Sequence, residues 1–239
     1  MAVAAIADAH LGGPGGAAGP LVESVDSLDR TSCERLVLLG DLFQVWVGSR
    51  RFETADITAV VAALDRLRDR GVPVHYIEGN RDFFLRGSDY QKSFDTLGVE
   101  FSFETEGRKY LVVHGDGLNA NDYLYRFWRR LSKNRFSRLG MLGLPKRVAD
   151  GLIRRTEQEL SKTNFKHKLE IPEKVLVDYG RRRLAEGYDT LLLGHFHEPR
   201  RWNIAEGEIR VLDAWFRSRA IEWLPATDAS NDSSRSAKA

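Results

Sequence analysis

Only one cysteine, Cys33, occurs in the 239 residues, so no disulfide can form within the chain and no thiolate-based zinc site is available. No apolar run reaches the length of a membrane span. The opening stretch from Met1 to Ala7 is apolar but runs into Asp8 without a basic leader, too short for the core of a secretory signal. Net charge is also scarce: 36 Lys and Arg against 34 Asp and Glu leave +2, which predicts no global attraction to nucleic acid or acidic lipid. Together these absences lead us to expect a cytoplasmic protein.

What is present is apolar material for one sizeable domain, with 42% hydrophobic residues. Short β-prone runs recur, and each ends in a polar cluster. Val3–Ile6 runs into Asp8 and His10, and Leu36–Leu39 into Gly40-Asp41. Val74–Ile77 meets Gly79-Asn80-Arg81-Asp82, Leu111–Val113 meets His114-Gly115-Asp116, and Leu191–Leu193 meets Gly194-His195-Phe196-His197. These runs read as buried strands. Helical patterns alternate with them: Val22, Val25 and Leu28 on one face, then Val60, Val61, Leu64 and Leu67 on another, closed by Gly71 and Pro73. The alternation predicts an α/β domain with helices covering a largely buried sheet, and all five polar clusters fall at carboxyl ends of strands, where such folds gather ligands. Arg201–Ile204 and Glu208–Leu212, around Ala205-Glu206-Gly207, predict a hairpin. His75, inside an apolar strand, reads as structural.

Charge is unevenly spread. Residues 119–170 carry 13 Lys or Arg against 5 Asp or Glu, leaving the rest of the chain mildly acidic. Leu124, Phe127, Trp128 and Leu131 form an apolar stripe at helical spacing, with Arg126, Arg129, Arg130 and Lys133 around it, and a second helical run follows Pro145 from Lys146 to about Leu160. We expect a main domain over residues 1–226, with a helical insertion at about 119–170 between two core strands. Helical periodicity favours the stripe docking that insertion on the core over its meeting an apolar ligand. Thr227–Ala239 is nearly devoid of apolar residues and is expected to be disordered.

The strand ends carry two aspartates, an asparagine and four histidines: Asp8, His10, Asp41, Asn80, His114, His195 and His197. Carboxylate and neutral imidazole suit Mn²⁺, Fe²⁺ or Zn²⁺. Seven ligands exceed one tetrahedral site but suit two ions sharing a bridging carboxylate, an arrangement that supports in-line phosphoryl displacement. Asp41 is the candidate bridge.

Asp8-Ala9-His10, Gly40-Asp41, Gly79-Asn80-Arg81-Asp82, His114-Gly115-Asp116 and Gly194-His195-Phe196-His197 resemble, in order, the five blocks of the calcineurin-like metallophosphoesterases. The resemblance implies a β-sandwich core flanked by helices. It also implies one ion on Asp8, His10, Asp41 and His197, and a second on Asp41, Asn80, His114 and His195. Where that superfamily commonly has a histidine after the Gly-Asn pair, this chain has Arg81, which cannot act as a general acid near neutral pH but can hold phosphate oxygens. The Gly79–Phe83 block, together with Leu39–Trp46, His195–Pro199 and Asp122, resembles the UDP-2,3-diacylglucosamine pyrophosphohydrolases of lipid A synthesis.

That resemblance implies cleavage of the pyrophosphate of a UDP-linked diacylated sugar lipid, giving UMP and 2,3-diacylglucosamine 1-phosphate. Two divalent ions, Mn²⁺ first with Zn²⁺ or Fe²⁺ as alternatives, and a helical lid are implied with it. Asp41, Asn80, Arg81, His114 and His195 would serve catalysis. Asn80, Arg81, Asp122, Ser161, Asn164, Lys168 and His195 would touch substrate, with Lys166 an equal candidate to Lys168. Asp116 would orient a ligand histidine, and Asp82 would position Arg81. The basic lid would let the enzyme sit peripherally on the cytoplasmic face of the inner membrane. Two other readings stay open: a related phosphoesterase for another nucleotide or phospholipid, and a protein whose basic segment binds nucleic acid or anionic membrane beside a vestigial metal site. The glycine-rich stretch from Gly12 to Gly19 has no role on these grounds.

Overall fold

A computed structural model describes residues 2–13, 16–118, 134–166 and 173–225, with the backbone alone at 135 and 160–166. Two five-stranded sheets form the centre. In the first, β1 (Ala2–Ile6), β2 (Cys33–Leu38), β4 (Val74–Ile77) and β6 (Thr96–Gly98) run parallel in that order, and β12 (Glu222–Leu224) pairs antiparallel with β1. In the second, β8 (Arg108–Val113), β9 (Thr190–Leu193) and β11 (Gly207–Val211) run parallel, with β7 (Glu100–Thr105) and β10 (Arg200–Ile204) antiparallel at the edges. β10 and β11 are the expected hairpin. A two-stranded ribbon, β3 (Trp46–Val47) with β5 (Asp82–Phe83), lies outside both sheets.

Strand alternation decides how the layers stack. Val3, Ala5, Val37, Leu39 and Ile77 face Phe103, Tyr110, Val112 and Leu192 across the space between the sheets. The intervening residues Ala4, Ile6, Leu36, Leu38 and Tyr76 point the other way, onto two helices. These are α1 (Ala18–Asp26) and α2 (Ala55–Asp69). Strands with both faces covered must be apolar at nearly every position, which is why they appear in the sequence as continuous runs rather than alternating ones. On α1 the buried line is Ala18, Leu21 and Val25, with Leu28 buried just past its end and Val22 only partly buried, so Leu21 rather than Val22 faces the core. Thr54 Oγ1 caps α2 by accepting from the Ile57 N–H at 3.3 Å, and Gly71 (φ 84°) follows the helix. The outer face of the second sheet, with Leu191, Ile209 and Val211, is covered by Leu176 and Leu184. Both belong to α5 (Glu173–Leu184), a helix that the sequence pattern did not predict. Gly180 lets the helix lie close there, because a β-carbon would come within 2.2 Å of Ile209 Cδ1 and push that side chain aside.

Between β8 and α5 come α3 (Arg135–Gly143) and α4 (Lys146–Lys166), the described part of the insertion. Asn134 Oδ1 caps α3, accepting from Phe136 N and Ser137 N at 2.8 and 2.9 Å. The Leu124 to Leu131 stripe and the tail after Pro225 lie outside the described residues. His75 is buried and stacked on Phe101, with ring centroids 4.0 Å apart. A short helix, α6 (Trp215–Ser218), leads into β12.

Candidate metal centre

The parallel strands of both sheets deliver their carboxyl ends to one edge of the sandwich. Asp8 and His10 follow β1, Asp41 follows β2, Asn80 follows β4, His114 follows β8, and His195 and His197 follow β9. Backbone conformation does much of the aiming. Asp8 (φ 52°), His10 (φ 46°), Asp41 (φ 54°), His195 (φ 68°) and His197 (φ 61°) all take left-handed φ, five of the eight described non-glycine residues that do so. Each such residue costs on the order of 1 kcal/mol, and strain of this kind collects where surrounding structure fixes a functional geometry. The loops are stitched together: Asp8 N donates to Gly40 O at 3.3 Å and His10 N to Asp41 O at 3.0 Å.

The side chains converge in two overlapping groups. Asp8 Oδ1 lies 3.1 Å from His197 Nε2 and 3.6 Å from His10 Nε2, and those two nitrogens are 2.9 Å apart. Asp8, Asp41 and His114 offer ligand atoms that all lie within 4.8 Å of one another. His114 Nε2 stands 3.5 Å from Asp41 Oδ2 and 3.3 Å from Asn80 Oδ1. His195 adds its ring 5.2 Å from that of His114, while its backbone N–H donates to Asp8 Oδ2 at 2.7 Å. All seven sequence candidates are thus neighbours, and Asp8 and Asp41 are wholly buried.

This donor set fits divalent cations. His114 Nδ1–H donates to the Leu39 carbonyl at 2.6 Å, leaving Nε2 to point at the carboxylates. The orienting acceptor for His114 is therefore the Leu39 carbonyl. Asp41 Oδ2 is buried, 3.5 Å from both His114 Nε2 and Arg81 Nε. Electrostatics agree. Burial opposes ionisation of Asp8 and Asp41, yet the charges of His197 on Asp8 and of His114 on Asp41 outweigh it and hold both carboxyls well below the usual range. Burial likewise lowers His114, but the Asp41 charge and hydrogen bond outweigh it and raise His114 to about 10. Burial leaves His10 lowered, hence neutral and ready to ligate at pH 7. The carboxylate pair creates a field that demands positive charge at this spot.

Around the seven lie supporting residues, of which motif reading had singled out Asp82 but passed over Gln44, Phe216 and Arg217. Asp82 Oδ2 accepts from Gly79 N at 2.7 Å and Asp41 N at 3.2 Å, so it braces two ligand loops, while Gln44 Oε1 accepts from Arg81 Nη1 at 2.6 Å. Phe216 packs its ring 5.5 Å from His10 and 5.1 Å from His197, and Arg217 Nη1 donates to His197 O at 3.0 Å. Gln44 and Phe216 carried one faint signal each: a polar residue inside the apolar stretch Leu42–Trp46, and an aromatic beside Trp215.

The insertion docks beside this edge. Arg51 donates to the carbonyls of Leu142 and Leu144 at 2.8 and 2.7 Å, Lys146 Nζ to Arg51 O at 3.2 Å, and Arg138 to Gly87 O at 3.1 Å. Ile153 and Glu157 of α4 cover a pocket lined by Leu11, Phe43, Val45 and Phe52. Ser161 and Asn164 fall in the last turns of α4, without described side chains; Asp122 and Lys168 lie outside the described residues.

Residues 1–138 match the family model of the calcineurin-like phosphoesterase superfamily domain. The UDP-2,3-diacylglucosamine hydrolase of Yersinia pseudotuberculosis is 31% identical over 170 residues, 70% of this chain and 69% of that protein. The enzyme of the same name from Pectobacterium carotovorum is 30% identical over 196 residues, 78% of this chain and 80% of that protein. Among solved structures, phosphopantetheinyl hydrolase from Mycobacterium tuberculosis aligns with 95% of this chain and 96% of its own at TM-score 0.46 and 14% identity.

Proposed function

Since the chain belongs to the calcineurin-like phosphoesterase superfamily, we propose that it is a dinuclear-metal hydrolase splitting the pyrophosphate of UDP-2,3-diacylglucosamine into UMP and 2,3-diacylglucosamine 1-phosphate. The observation that carries the reading is the convergence of the buried carboxylates Asp8 and Asp41 with four histidines and Asn80 at one sheet edge. Asp8, His10, Asp41 and His197 would hold one ion, Mn²⁺ by preference, and Asp41, Asn80, His114 and His195 the other. When bound, the ions supply an activated water and neutralise charge on the attacked phosphoryl group. Asn80 and Arg81 hold phosphate oxygens, and His195 lies near the same oxygens. The lid residues Asp122, Ser161, Asn164 and Lys168 are the proposed contacts to the rest of the substrate, and residues 119–170 the proposed lid of a domain spanning 1–226.

The pocket under Ile153 sets Leu11, Phe43, Val45, Phe52 and Ile57 beside Gln44, Thr54, Asp56 and Glu157, and its apolar side is the proposed contact for an acyl chain. Among the described residues no helix is long and apolar enough to cross a membrane. Among the described residues, four of the five large apolar residues most exposed, Phe136, Leu139, Val148 and Leu152, sit on α3 and α4 among basic residues such as Arg138, Lys146 and Arg147. They support peripheral contact with the cytoplasmic face of an anionic inner membrane.

The test is UMP release from UDP-2,3-diacylglucosamine with Mn²⁺, beside bis(p-nitrophenyl) phosphate and a nucleotide panel. The lipid substrate should be strongly preferred, and Asp41→Asn should abolish turnover while the protein stays folded. Cleavage of the generic diester alone would end the lipid reading. Steeply salt-dependent nucleic-acid binding with no metal-dependent hydrolysis would favour the binding-protein alternative.

A further inference from the structure

Gln44 uses its whole side-chain amide and its carbonyl at once. Its Oε1 accepts from Arg81 Nη1 at 2.6 Å, its backbone oxygen accepts from the same Nη1 at 3.1 Å, and its Nε2 donates to His10 O at 3.3 Å. Its own N–H donates to Leu11 O at 3.0 Å, so it is fastened to the loop carrying His10 as well as to the loop that begins at Asp41. The cation it grips is 1% exposed, and Arg81 Nε stands 3.5 Å from Asp41 Oδ2. Arg81 N also donates to Asp41 Oδ1 at 2.9 Å. Arg81 is therefore held at its backbone by Asp41 and at its head by Gln44, which fixes how the guanidinium lies beside the metal-ligand carboxylate.

The type of residue matters. A neutral amide accepts at one end and donates at the other, so Gln44 satisfies a guanidinium and a carbonyl together. A carboxylate would still accept from Arg81 but would set an oxygen against His10 O. The glycine-rich loop gains a role here. A β-carbon at Gly13 would lie 2.0 Å from Gln44 Nε2, and one at Gly16 would lie 2.5 Å from His10 O. The loop is laid directly on the Gln44–His10 junction, and only glycine leaves the amide where it is.

We propose that Gln44, seated under Gly13, is a positioning residue that orients Arg81 toward the phosphate oxygens of the substrate. The proposal rests on the reading above that Arg81 binds phosphate. The experiment compares kcat and KM for UDP-2,3-diacylglucosamine in Arg81→Ala, Gln44→Ala, Gln44→Glu, Gly13→Ala and the Gln44→Ala/Arg81→Ala double variant. Mn²⁺ affinity by calorimetry and the melting temperature are measured beside them. Gln44→Ala should lower kcat/KM about tenfold or more in the native background and less than about twofold when Arg81 is already alanine. Gln44→Glu should recover a large part of the loss, and Gly13→Ala, which displaces the amide and leaves Arg81 and every metal-ligand side chain unsubstituted, should mimic Gln44→Ala in milder form. Mn²⁺ affinity should stay within about threefold of the native value. An equal loss in both backgrounds would mean a general structural role and overturn the proposal, as would near-native Gln44→Ala and Gly13→Ala kinetics beside a damaged Arg81→Ala enzyme. Native kinetics for Arg81→Ala itself would overturn the phosphate role of Arg81, and with it anything for Gln44 to position.

Discussion

Asp82 and Asp41 are 41 positions apart in sequence, yet the Asp82 carboxylate receives the backbone N–H of Asp41 at 3.2 Å and, through the same oxygen, that of Gly79 at 2.7 Å. Both aspartates are fully buried. One side chain thus sets the spacing between the loop of the candidate bridging ligand and the loop of Asn80. Replacing Asp82 by alanine strands two buried donors, each worth about 1–3 kcal/mol. We expect Asp82→Ala to lose roughly 3 kcal/mol in urea denaturation and to bind Mn²⁺ at least about tenfold more weakly by calorimetry. Asp82→Asn, which keeps an acceptor oxygen, should lose clearly less of both.

Left-handed φ at the ligands leads to an inverted glycine effect. Glycine usually destabilises a position relative to alanine, but at φ 46° a β-carbon is the liability. Metal-free His10→Gly should therefore be more stable than metal-free His10→Ala by about 1 kcal/mol in chemical denaturation. Equal stabilities, or alanine ahead, would show that the backbone at His10 relaxes freely once the imidazole is gone.

His75 makes the fold acid-sensitive. Burial first, and then the charge of Arg35, lower it from 6.5 to about 4, and neither ring nitrogen has a hydrogen-bond partner among the described residues. Between those two values the unfolded chain binds a proton that the folded chain refuses, so stability rises with pH across the window and falls as pH drops through it. The native protein should lose on the order of 2 kcal/mol from this residue between pH 7 and pH 4. His75→Phe, stacked on Phe101 in the same way, should remove that part of the slope while the slope from other groups persists.

Phe136 is 69% exposed and Leu139 67%, one turn apart on α3, beside Arg138. If this face meets lipid, Phe136→Glu/Leu139→Glu should reduce co-sedimentation with vesicles containing anionic phosphatidylglycerol by about tenfold, while hydrolysis of a water-soluble diester is unchanged. Unaltered vesicle binding would remove α3 from the membrane contact.

The metal-ligand blocks were legible because buried strands are written as short, unbroken apolar runs, and the polar residues that end them stand out. Val74–Ile77 into Asn80 and Leu191–Leu193 into His195 are examples, and the hairpin around Ala205-Glu206-Gly207 was equally plain. α5 was not, since three consecutive arginines at its end mask a narrow stripe of Leu176, Gly180 and Leu184. The ribbon of β3 and β5 has two residues per strand, too few for any periodicity.

The one-dimensional pattern, by itself, determined which side chains end strands and therefore which could act together, because alternation and apolar run length are local properties of the chain. Only the tertiary structure decided that β1, β2 and β4 belong to one sheet and β8 and β9 to its partner. It also decided that Leu39 fixes the His114 ring, and that Gln44 grips Arg81 from 37 positions away. Those outcomes depend on which buried donors find which acceptors once two sheets close on each other, and a hydrogen bond between distant loops leaves almost no mark on the residues along either one.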